Sequence, residues 1–462
     1  MHMSEIYSDT IVAISTAMAP SGIGIVRVSG PDAIEIADRV YSNPKGKRLS
    51  DQKGYTIHYG NVCEKGEVID ETLAMLMRAP HSYTGEDTVE FDCHGGVLAT
   101  KRVLEAIIHA GARPAEPGEF SRRAFLNGRI DLTQAEAVMD IISAKNDHAL
   151  RSAQHQLKGS VSEKISVVRQ KLLHETAHIE AALDDPEHMS LDGYVEEMHE
   201  VITEQKSALL RLLESADSGR FMTEGIKTVI VGKPNAGKSS LLNLLIGEEK
   251  AIVTDIAGTT RDILEEQINV KGITLRLLDT AGIRDASDVI EQIGVEKAKE
   301  QVKDADLVLY VVDGSVALDE NDHEIMDLIH DRKSVVILNK NDLSTVITNE
   351  QLEEKTQAPV ISMSAKQSLG LDELEEEIEK MFFHGGISFN DEVYITNVRH
   401  KTCIEEAIRS LGLVLQSMDD GMPEDFWSID LMGACDALGK ITGDTTSEDL
   451  VNEIFSSFCM GK

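Results

Sequence analysis

One short motif constrains the fold of this chain more than any other feature: a glycine-framed turn that follows an apolar run. Its spacing, G-x-x-x-x-G-K-S, is met by Gly232, Gly237, Lys238 and Ser239. In such a loop the main-chain N–H groups face phosphate oxygens, the lysine reaches the β and γ phosphates, and the serine hydroxyl binds Mg²⁺. Residues 228–231 predict the strand that precedes the loop, and residues 240–246 predict a helix with an apolar face. The motif therefore predicts an α/β domain that binds nucleotide phosphates.

Two further motifs indicate that the nucleotide is GTP rather than ATP. They follow predicted strands at 334–338 and 360–363, and their residues are Asn339, Lys340 and Asp342, then Ser364, Ala365 and Lys366. The Asp342 carboxylate can accept hydrogen bonds from the ring N–H and the exocyclic amine of guanine, a donor pair that adenine does not present. Because the wrong base leaves such a group unpaired, the discrimination can be large. The loop 364–366 is expected to offer a main-chain N–H to the guanine carbonyl.

A second phosphate-sensing loop lies between these motifs. Residues 275–278 predict a strand that runs into Asp279-Thr-Ala-Gly282. Asp279 is expected just outside the direct ligands of Mg²⁺, and the Gly282 N–H is expected to face the γ-phosphate. The loop 258–262 is expected to order only when γ-phosphate and Mg²⁺ are bound, and its Thr260 is the predicted second hydroxyl on Mg²⁺.

The residue after this loop cannot perform the step that its position performs in Ras-like GTPases. Those enzymes carry a glutamine that orients the attacking water, whereas this chain carries Ile283. An aliphatic side chain cannot orient a nucleophile, so another group must position water and neutralise charge. In enzymes where an arginine finger stabilises this charge, it increases the rate of hydrolysis by ~10³ to 10⁵. Candidates within the chain are Asn235, Arg284 and acidic residues such as Glu291.

The charge balance limits how the chain can meet nucleic acid. Its 462 residues include 45 Lys and Arg against 80 Asp and Glu, a net charge of −35. Such a chain repels polyphosphates on average, so nucleic acid must be met by a local patch or by a partner. Candidate phosphate contacts are Arg122, Arg123, Arg129 and the run 399–401.

Cysteine spacing and hydropathy restrict the compartment. The five cysteines lie far apart and form no C-x-x-C pair, which argues against a disulfide framework and against a zinc site. No run approaches the length of a membrane span, and the N-terminus lacks a basic region followed by an apolar one. We therefore expect a protein of the reducing cytoplasm.

Changes in hydrophobic periodicity divide the chain into four segments. We predict an α+β domain at 1–121, the first part of a helical domain at 122–220, an inserted Ras-like P-loop domain at 221–383, and the second part of the helical domain at 384–462. The two helical parts are expected to pack as one bundle, because each alone lacks enough partner surface to bury its apolar stripe. The fold class is multidomain, with α/β and α+β parts.

Three local signals refine this division. The run 133–136, Thr-Gln-Ala-Glu, predicts a capping box at the start of a helix. The pair 218–219, Ser-Gly, predicts a linker into the nucleotide domain. The run 22–24, Gly-Ile-Gly, predicts a turn rather than a dinucleotide loop, because no third glycine follows at the required spacing.

Motifs along the whole chain closely resemble those of the MnmE (TrmE) family of tRNA-modification GTPases. In the nucleotide domain they are Lys-Pro-Asn-Ala-Gly-Lys-Ser-Ser-Leu-Leu-Asn, Thr-Asp-Ile-Ala-Gly-Thr-Thr-Arg-Asp and Asp-Thr-Ala-Gly-Ile-Arg. Outside it they are the segments that end at Gly30, Asp87, Ser121 and Arg129, and the last residues, Phe-Ser-Ser-Phe-Cys-Met-Gly-Lys.

The resemblance implies a potassium-activated GTPase whose two G domains meet across a homodimer. By matching positions, K⁺ replaces the arginine finger and is held by Asn235, Thr254, Ile256 and Thr259. Glu291 orients the attacking water through a second water, and Lys238 acts on the phosphates. The full set of implied GTP contacts is Asn235, Ala236, Gly237, Lys238, Ser239, Ser240, Thr254, Asp255, Ile256, Ala257, Gly258, Thr259, Thr260, Asp279, Thr280, Ala281, Gly282, Asn339, Lys340, Asp342, Ser364, Ala365 and Lys366.

The resemblance also implies that the N-terminal domain is similar to folate-binding folds and takes a 5-formyl-tetrahydrofolate-type one-carbon donor. The matching positions are Arg27, Glu90, Arg129 and Lys462. Basic groups suit the glutamate tail or formyl oxygen, and a carboxylate suits the pterin N–H donors. Cys459 has two interpretations: a buried thiol at a helix end, or a catalytic group near the reaction centre, as the family implies.

The implied reaction adds a carboxymethylaminomethyl or aminomethyl group to the 5-position of the wobble uridine of certain tRNAs. The family does this with MnmG, a partner that uses FAD and NADH, and this chain carries no flavin-binding motif. The rival hypothesis is a switch GTPase that assembles ribosomes or recruits partners without joining in modification. An assembly GTPase is expected to carry a basic RNA-binding module, whereas this chain ends in an acidic helical segment.

Overall fold

The computed structural model describes residues 9–185, 193–248, 266–270, 272–278, 302–383, 393–459 and 461–462. The described residues fall into two compact units, the first within the spans Met1–Met139, Gln156–Val195 and Gln416–Lys462, and the second within Asp140–His155 and Glu196–Leu415. The strands are β1 Ile11–Ile14, β2 Ile23–Ser29, β3 Tyr41–Ser42, β4 Thr56–Glu64, β5 Glu67–Met77, β6 Thr88–His94, β7 Arg113–Pro114, β8 Ile226–Val231, β9 Glu266–Val270, β10 Ile273–Leu277, β11 Leu307–Asp313, β12 Ser334–Asn339 and β13 Val360–Ser362.

The helices follow the sequence spacing that predicts them. They are α1 Ala33–Val40, α2 Val97–His109, α3 Glu119–Leu126, α4 Leu132–Ser143, α5 Asp147–Leu157, α6 Ser160–Asp184, α7 Val195–Glu224, α8 Lys238–Glu248, α9 Glu320–Ile329, α10 Asn349–Thr356, α11 Leu371–Phe382, α12 Val398–Asp419, α13 Glu424–Thr442 and α14 Glu448–Ser456. In the described part of the chain, no helix is long and apolar enough to span a membrane.

The first unit is built on a mixed sheet with the order β3-β4-β5-β6-β2-β1-β7. Its neighbouring strands are antiparallel except for β1 and β7, which are parallel. The apolar faces of α1 and α2 pack against it, and Val28, Phe91, Ile36 and Ile107 are among the fully buried residues of this core. This sheet presents β2 and β6 side by side at its centre.

Gly22 lies in a bend directly before β2, but Gly24 lies inside the strand, so the predicted turn does not extend over 22–24. A side chain at Gly24 would place its Cβ 2.5 Å from Thr100 Oγ1. The glycine is therefore required by the close approach of α2 to the sheet.

The predicted capping box at 133–136 is also wrong, because α4 starts two residues earlier. Asp131 Oδ1 accepts from Gln134 N at 2.9 Å, and Gln134 Oε1 accepts from Asp131 N at 3.0 Å. These reciprocal bonds form a capping box with an aspartate and a glutamine in place of the threonine and glutamate. Thr133 lies within the first turn, where its hydroxyl donates to Asp131.

Helices from both helical segments pack together within the first unit. α6 packs along α13, and Arg169 on α6 donates to Cys435 O at 3.1 Å. Leu132 at the start of α4 shares a small core with Val451 and Phe455 of α14.

The second unit is an α/β fold with the sheet order β13-β12-β11-β8-β10-β9. All neighbouring pairs are parallel except the β9–β10 hairpin. β11 and β12 are buried along almost their whole length, as strands covered by helices on both faces should be. The carboxyl ends of β8, β11 and β12 therefore meet at one edge of the sheet.

The predicted linker at 218–219 is instead part of α7, which continues to Glu224. Both residues are buried there. Ser218 Oγ donates to Phe382 O at 3.0 Å, and a side chain at Gly219 would collide with Ile395 O. Small residues at these positions let the end of α7 pack against the segment that follows α11. The end of α7, which leads into the sheet, thus lies beside the end of α11 and Ile395, which follow its last strand.

Candidate functional site

The phosphate loop follows β8 and ends at the first residue of α8. Gly232 and Gly237 have positive φ angles of 149° and 105°. A side chain at Gly232 would collide with Val311 O, and one at Gly237 would collide with the Asn339 side chain. Glycine is therefore required at both ends of the loop, and the main chain is left open between them.

Lys238 is held inside this loop by main-chain oxygens. Its Nζ donates to Gly232 O at 2.7 Å and to Lys233 O at 2.8 Å. Burial lowers the pKa of the Lys238 ammonium, because the charged form is desolvated there. Ser239 and Ser240 are exposed at the start of α8. Asn235 is exposed at the tip of the loop with a left-handed φ of 63°.

The base-recognition residues lie next to the phosphate loop. Asn339 Nδ2 donates to Ala236 O at 2.9 Å, and Asn339 Oδ1 accepts from Ala365 N at 3.1 Å. Asp342 Oδ1 accepts from Ser364 Oγ at 2.7 Å. Both predicted base loops are thus tied together by side chains of the N-K-x-D motif.

Lys340, in the same N-K-x-D motif, pairs with Asp313 at the end of β11. The Nζ–Oδ2 distance is 2.5 Å. Although burial opposes it, hydrogen bonds from Lys340 and Ser315 hold the pKa of Asp313 below its ordinary value. Lys340 also has a left-handed φ of 64°, so the ion pair helps to fix a strained turn. Lys366 follows in the second base loop.

The other predicted residues of the nucleotide site lie outside the described residues. They are 254–260, 279–282 and Glu291, together with Ile283 and Arg284. Their predicted roles with Mg²⁺, K⁺ and water stay predictions.

A second cluster of predicted residues lies at the centre of the N-terminal sheet. Arg27 on β2 and Glu90 on β6 are cross-strand partners, and Nε lies 2.6 Å from Oε1. Arg27 Nη1 also donates to Gly461 O at 3.2 Å, and Ser15 Oγ donates to the same carbonyl at 3.3 Å. The last residues of the chain are thereby docked on the sheet.

Tyr83 joins the basic residues of this cluster, and the sequence motifs gave it no role. The Arg27 guanidinium lies 5.4 Å and the Lys462 ammonium 5.7 Å from the Tyr83 ring centroid. Burial lowers the pKa of Lys462, and the Arg27 charge adds to this effect, while Glu90 opposes it. Arg129 is exposed. Burial raises the pKa of Tyr83, and the positive charges of Arg27 and Arg129 oppose that rise. The sequence signal that could have identified Tyr83 was its position in the motif 83–87, one of the segments that resemble the family.

Cys459 is exposed, so the interpretation of a buried thiol is wrong. It lies just beyond α14, where its carbonyl accepts from Gly118 N at 3.4 Å and from Lys462 N at 3.3 Å. Gly118 has a φ of 68°, and a side chain there would collide with Phe455 O. The tail that carries Cys459 and Lys462 therefore passes close to the start of α3.

The candidate phosphate contact at Arg123 is wrong, because its side chain is only 1% exposed. It pairs with Glu119 at 2.9 Å, with Asp9 at 2.8 Å and with Glu86 at 3.2 Å. Arg122 lies beside it and pairs with Glu116 at 3.1 Å. These arginines serve the fold of the N-terminal unit.

The side chains of the run 399–401 likewise have partners within the second unit. His400 is fully buried, Arg399 contacts it through Nη2 at 2.9 Å, and Lys401 pairs with Asp217 at 2.9 Å. Within the described ranges no cluster of three or more His, Cys, Asp or Glu side chains is arranged to hold a metal ion.

Comparison with known proteins agrees with this arrangement. A family model described as the MnmE helical domain matches residues 132–459, and one described as the GTP-binding protein TrmE N-terminus matches residues 10–129. The chain resembles the G domain of the T. maritima FeoB iron transporter at 28% identity over 34% of this chain and 97% of that one. The TM-score of 0.26 is too low to support an argument.

Three curated relatives named tRNA modification GTPase MnmE match nearly the full chain. The relative from Lachnoclostridium phytofermentans is 52% identical over 98% of this chain and 100% of its own length. Those from Clostridioides difficile and Bacillus subtilis are 47% and 44% identical, each over 98% of this chain and over 99% and 100% of their own lengths. With a guanine-type base loop beside a phosphate loop, and with these matches across its length, the chain belongs to the MnmE (TrmE) family of tRNA modification GTPases.

Proposed function

We propose that this protein hydrolyses GTP in a potassium-activated reaction in the cytoplasm and, with the partner MnmG, modifies the 5-position of the wobble uridine of certain tRNAs. A tetrahydrofolate one-carbon donor supplies the added carbon. The observation that carries the proposal is the presence of two sites in one chain. One is the paired phosphate and base loops, and the other is the basic cluster of the N-terminal sheet.

The base loops are suited to guanine. Ser364 holds one oxygen of the Asp342 carboxylate, and this geometry presents a fixed acceptor to the two donors of guanine. Ala365 N donates to Asn339, so a guanine carbonyl that takes this N–H must share it with the asparagine. Lys238 would exchange its two carbonyl partners for phosphate oxygens, and the Ser239 and Thr260 hydroxyls would hold Mg²⁺.

Asn235 is suited to a cation ligand because its side chain is exposed at the tip of the loop. Thr254, Ile256 and Thr259 would complete the K⁺ set, and Glu291 would position water. Bound K⁺ would supply positive charge beside the β–γ bridge, the work of an arginine finger elsewhere.

GTP hydrolysis in matched K⁺ and Na⁺ buffers tests this mechanism. We expect faster turnover in K⁺, and Asn235→Gly should remove the difference while GDP binding persists. Glycine is the matched substitution, because it tolerates the left-handed φ of this position without strain. Equal wild-type rates in the two buffers would refute potassium activation.

The basic cluster is suited to an anionic ligand with an aromatic ring. In the described part of the chain, Glu90 pairs with Arg27 and acts electrostatically on Lys462, and Tyr83 and Phe120 present ring faces to Arg27. Arg129 adds a third positive charge near Tyr83. Excess positive charge matches a folate carboxylate, and ring faces match the pterin.

Calorimetric titration with 5-formyl-tetrahydrofolate tests the cluster. Arg27→Met should abolish binding at concentrations that saturate the wild type, because the cation and its pair with Glu90 are both lost. Arg39→Met, on the exposed end of α1, is the matched control and should bind normally. Absence of wild-type binding would refute the folate proposal.

An exposed apolar row on the N-terminal sheet supports a homodimer. Ile57 and Tyr59 on β4 are 62% and 51% exposed, and Leu73, the cross-strand partner of Tyr59, is 42% exposed. Contiguous apolar surface of this kind is typical of an interface. Ile57→Glu with Leu73→Glu should convert a dimer to a monomer in light scattering, and a monomeric wild type would contradict the assignment.

Mass spectrometry of tRNA nucleosides tests the modification itself. Cells that lack the gene should lose the 5-substituent at the wobble uridine, and the wild-type gene should restore it. Cys459→Ser tests the proposed catalytic thiol in the same assay, because the exposed side chain can be changed without opening a core. Unchanged wobble uridines in the deletion would favour a switch GTPase without modification chemistry.

A further inference from the structure

A lysine at the entrance to the phosphate loop is clamped by the start of a neighbouring helix. Lys233 Nζ lies 2.6 Å from Asp322 Oδ2 and 2.8 Å from Asp319 Oδ2. Its side chain is 17% exposed, and that of Asp322 is 2% exposed. The G-x-x-x-x-G-K-S spacing places no requirement on this position, so the motif does not explain the contact.

The two aspartates are themselves rigidly held. They form the capping box of α9: Asp322 N donates to Asp319 Oδ1 at 3.2 Å, and Asp319 N donates to Asp322 Oδ2 at 2.9 Å. The buried Tyr310 hydroxyl on β11 donates to Asp322 Oδ1 at 3.0 Å. The carboxylate that receives Lys233 is therefore fixed to both the helix cap and the central sheet.

The main chain of Lys233 contacts the residue that acts on phosphates. Its carbonyl accepts from Lys238 Nζ at 2.8 Å and from Ala236 N at 3.3 Å. A clamp on the Lys233 side chain consequently limits where this carbonyl can lie. The adjacent Gly232 offers no side chain to do so, and Pro234 and Asn235 are exposed.

We propose that Lys233 is a positioning residue for phosphate binding: its ion pair with Asp319 and Asp322 anchors the phosphate loop to the cap of α9 and thereby orients Lys238. The inference concerns the phosphate end of the nucleotide only. Base recognition is assigned to Asn339 and Asp342, whose side chains bond to Ala236, Ala365 and Ser364 rather than to Lys233 or its aspartates. The inference rests on the proposed binding of GTP, and it is independent of the potassium and folate proposals.

Comparing the binding of GDP with that of guanosine distinguishes a role of Lys233 in positioning the phosphate loop from a general loss of folded protein. Guanosine fits the base loops but has no phosphate. Lys233→Met should weaken GDP binding about tenfold, the effect of losing roughly one charged hydrogen bond. Its affinity for guanosine, measured by competition against a fluorescent guanine nucleotide, should stay the same. Lys233→Arg should restore most of the GDP affinity, because it keeps the charge and the donors.

A double variant controls for folding. Lys233→Met alone leaves a buried carboxylate without its cation, which is strongly destabilising. Adding Asp322→Asn removes that charge, and an amide at position 322 can still accept from Asp319 N. The double variant should therefore recover the melting temperature of the wild type but not its GDP affinity.

A matched surface pair completes the test. Lys380→Met on α11 removes an exposed lysine that pairs with Glu377, and it should change neither affinity. Wild-type GDP affinity in the double variant would overturn the proposal, as would an equal loss of GDP and guanosine binding in Lys233→Met. A wild type that binds no GDP would overturn nucleotide binding itself, so the two failures are distinguishable.

Discussion

The side-chain amide of Asn339 donates from Nδ2 to the main-chain carbonyl of Ala236, 2.9 Å away. Ala236 belongs to the phosphate loop, and Asn339 ends β12, 103 residues later in the chain. The same amide accepts from Ala365 N, so it also holds the second base loop. Asn339 is 3% exposed and has its hydrogen-bond partners within the protein. One side chain thus sets the distance between the phosphate and base subsites.

Asn339→Ala should weaken the binding of GDP and guanosine together. Two hydrogen bonds are lost and two main-chain groups are left without partners, a cost of about 2 kcal/mol or roughly 30-fold in Kd. Competition against a fluorescent guanine nucleotide measures both ligands. Asn341→Ala, at the exposed variable position of the same motif, is the control and should bind as the wild type. A selective loss of GDP binding alone would contradict the joining role of Asn339.

Asp342→Asn should exchange guanine preference for xanthine preference. The carboxylate can only accept, which suits the amine of guanine, whereas an amide can donate to the carbonyl that xanthine carries at that position. We expect GDP affinity to fall by on the order of a hundredfold or more and xanthosine diphosphate affinity to rise. Ser364→Ala removes one bond to Asp342 and should reduce affinity without changing the preference. Retained guanine preference in Asp342→Asn would show that another residue reads the base.

The loop motifs were predictable because their geometry is local. Glycines at 232 and 237 are required by collisions with neighbouring backbone and side chains, and the motif spacing encodes that requirement directly. The contact that joins the loops was not predictable at the level of atoms, because Asn339 and Ala236 meet only after β8, β11 and β12 have paired in order.

The errors at Arg123 and at 218–219 share a different cause, which is tertiary packing of polar or small residues. Arg123 has the sequence context of a surface charge, but Asp9 from a remote strand end and Glu119 one turn earlier bury it. The pair 218–219 has the composition of a linker, yet the close approach of Ile395 needs small residues inside a helix. The Tyr83 contact with Lys462 depends on docking of the chain terminus, which no local pattern encodes.

Arg123→Met should destabilise the N-terminal unit strongly. The substitution leaves Glu119, which is fully buried, without one of its two arginine partners, and it removes a pair with Asp9 as well. Breaking a buried ion pair costs about 3–5 kcal/mol. We expect a lower midpoint of urea unfolding, measured by circular dichroism, while Arg39→Met on α1 changes it little. An unchanged midpoint with reduced tRNA affinity would instead support a phosphate contact.

Asp92 lies two residues after Glu90 on the same face of β6, and its Oδ1 is buried without a hydrogen-bond partner. Burial raises the pKa of this carboxyl, and the negative charge of Glu90 adds to the effect. The folded protein therefore binds the Asp92 proton more tightly than the unfolded chain does. Ionised Asp92 costs stability at neutral pH, and the cost is relieved as the pH falls through the raised pKa.

Asp92→Asn should accordingly raise the melting temperature at about pH 7, because an amide is not charged at any pH. The advantage over the wild type should shrink as the buffer is acidified, since the wild-type carboxyl then becomes neutral in the folded state. Differential scanning calorimetry across a pH series measures this difference directly. Asp51→Asn, at an exposed turn of the same domain, should show no comparable pH-dependent gain. A difference that grows on acidification would mean that the ionised form of Asp92 is the one that the fold stabilises.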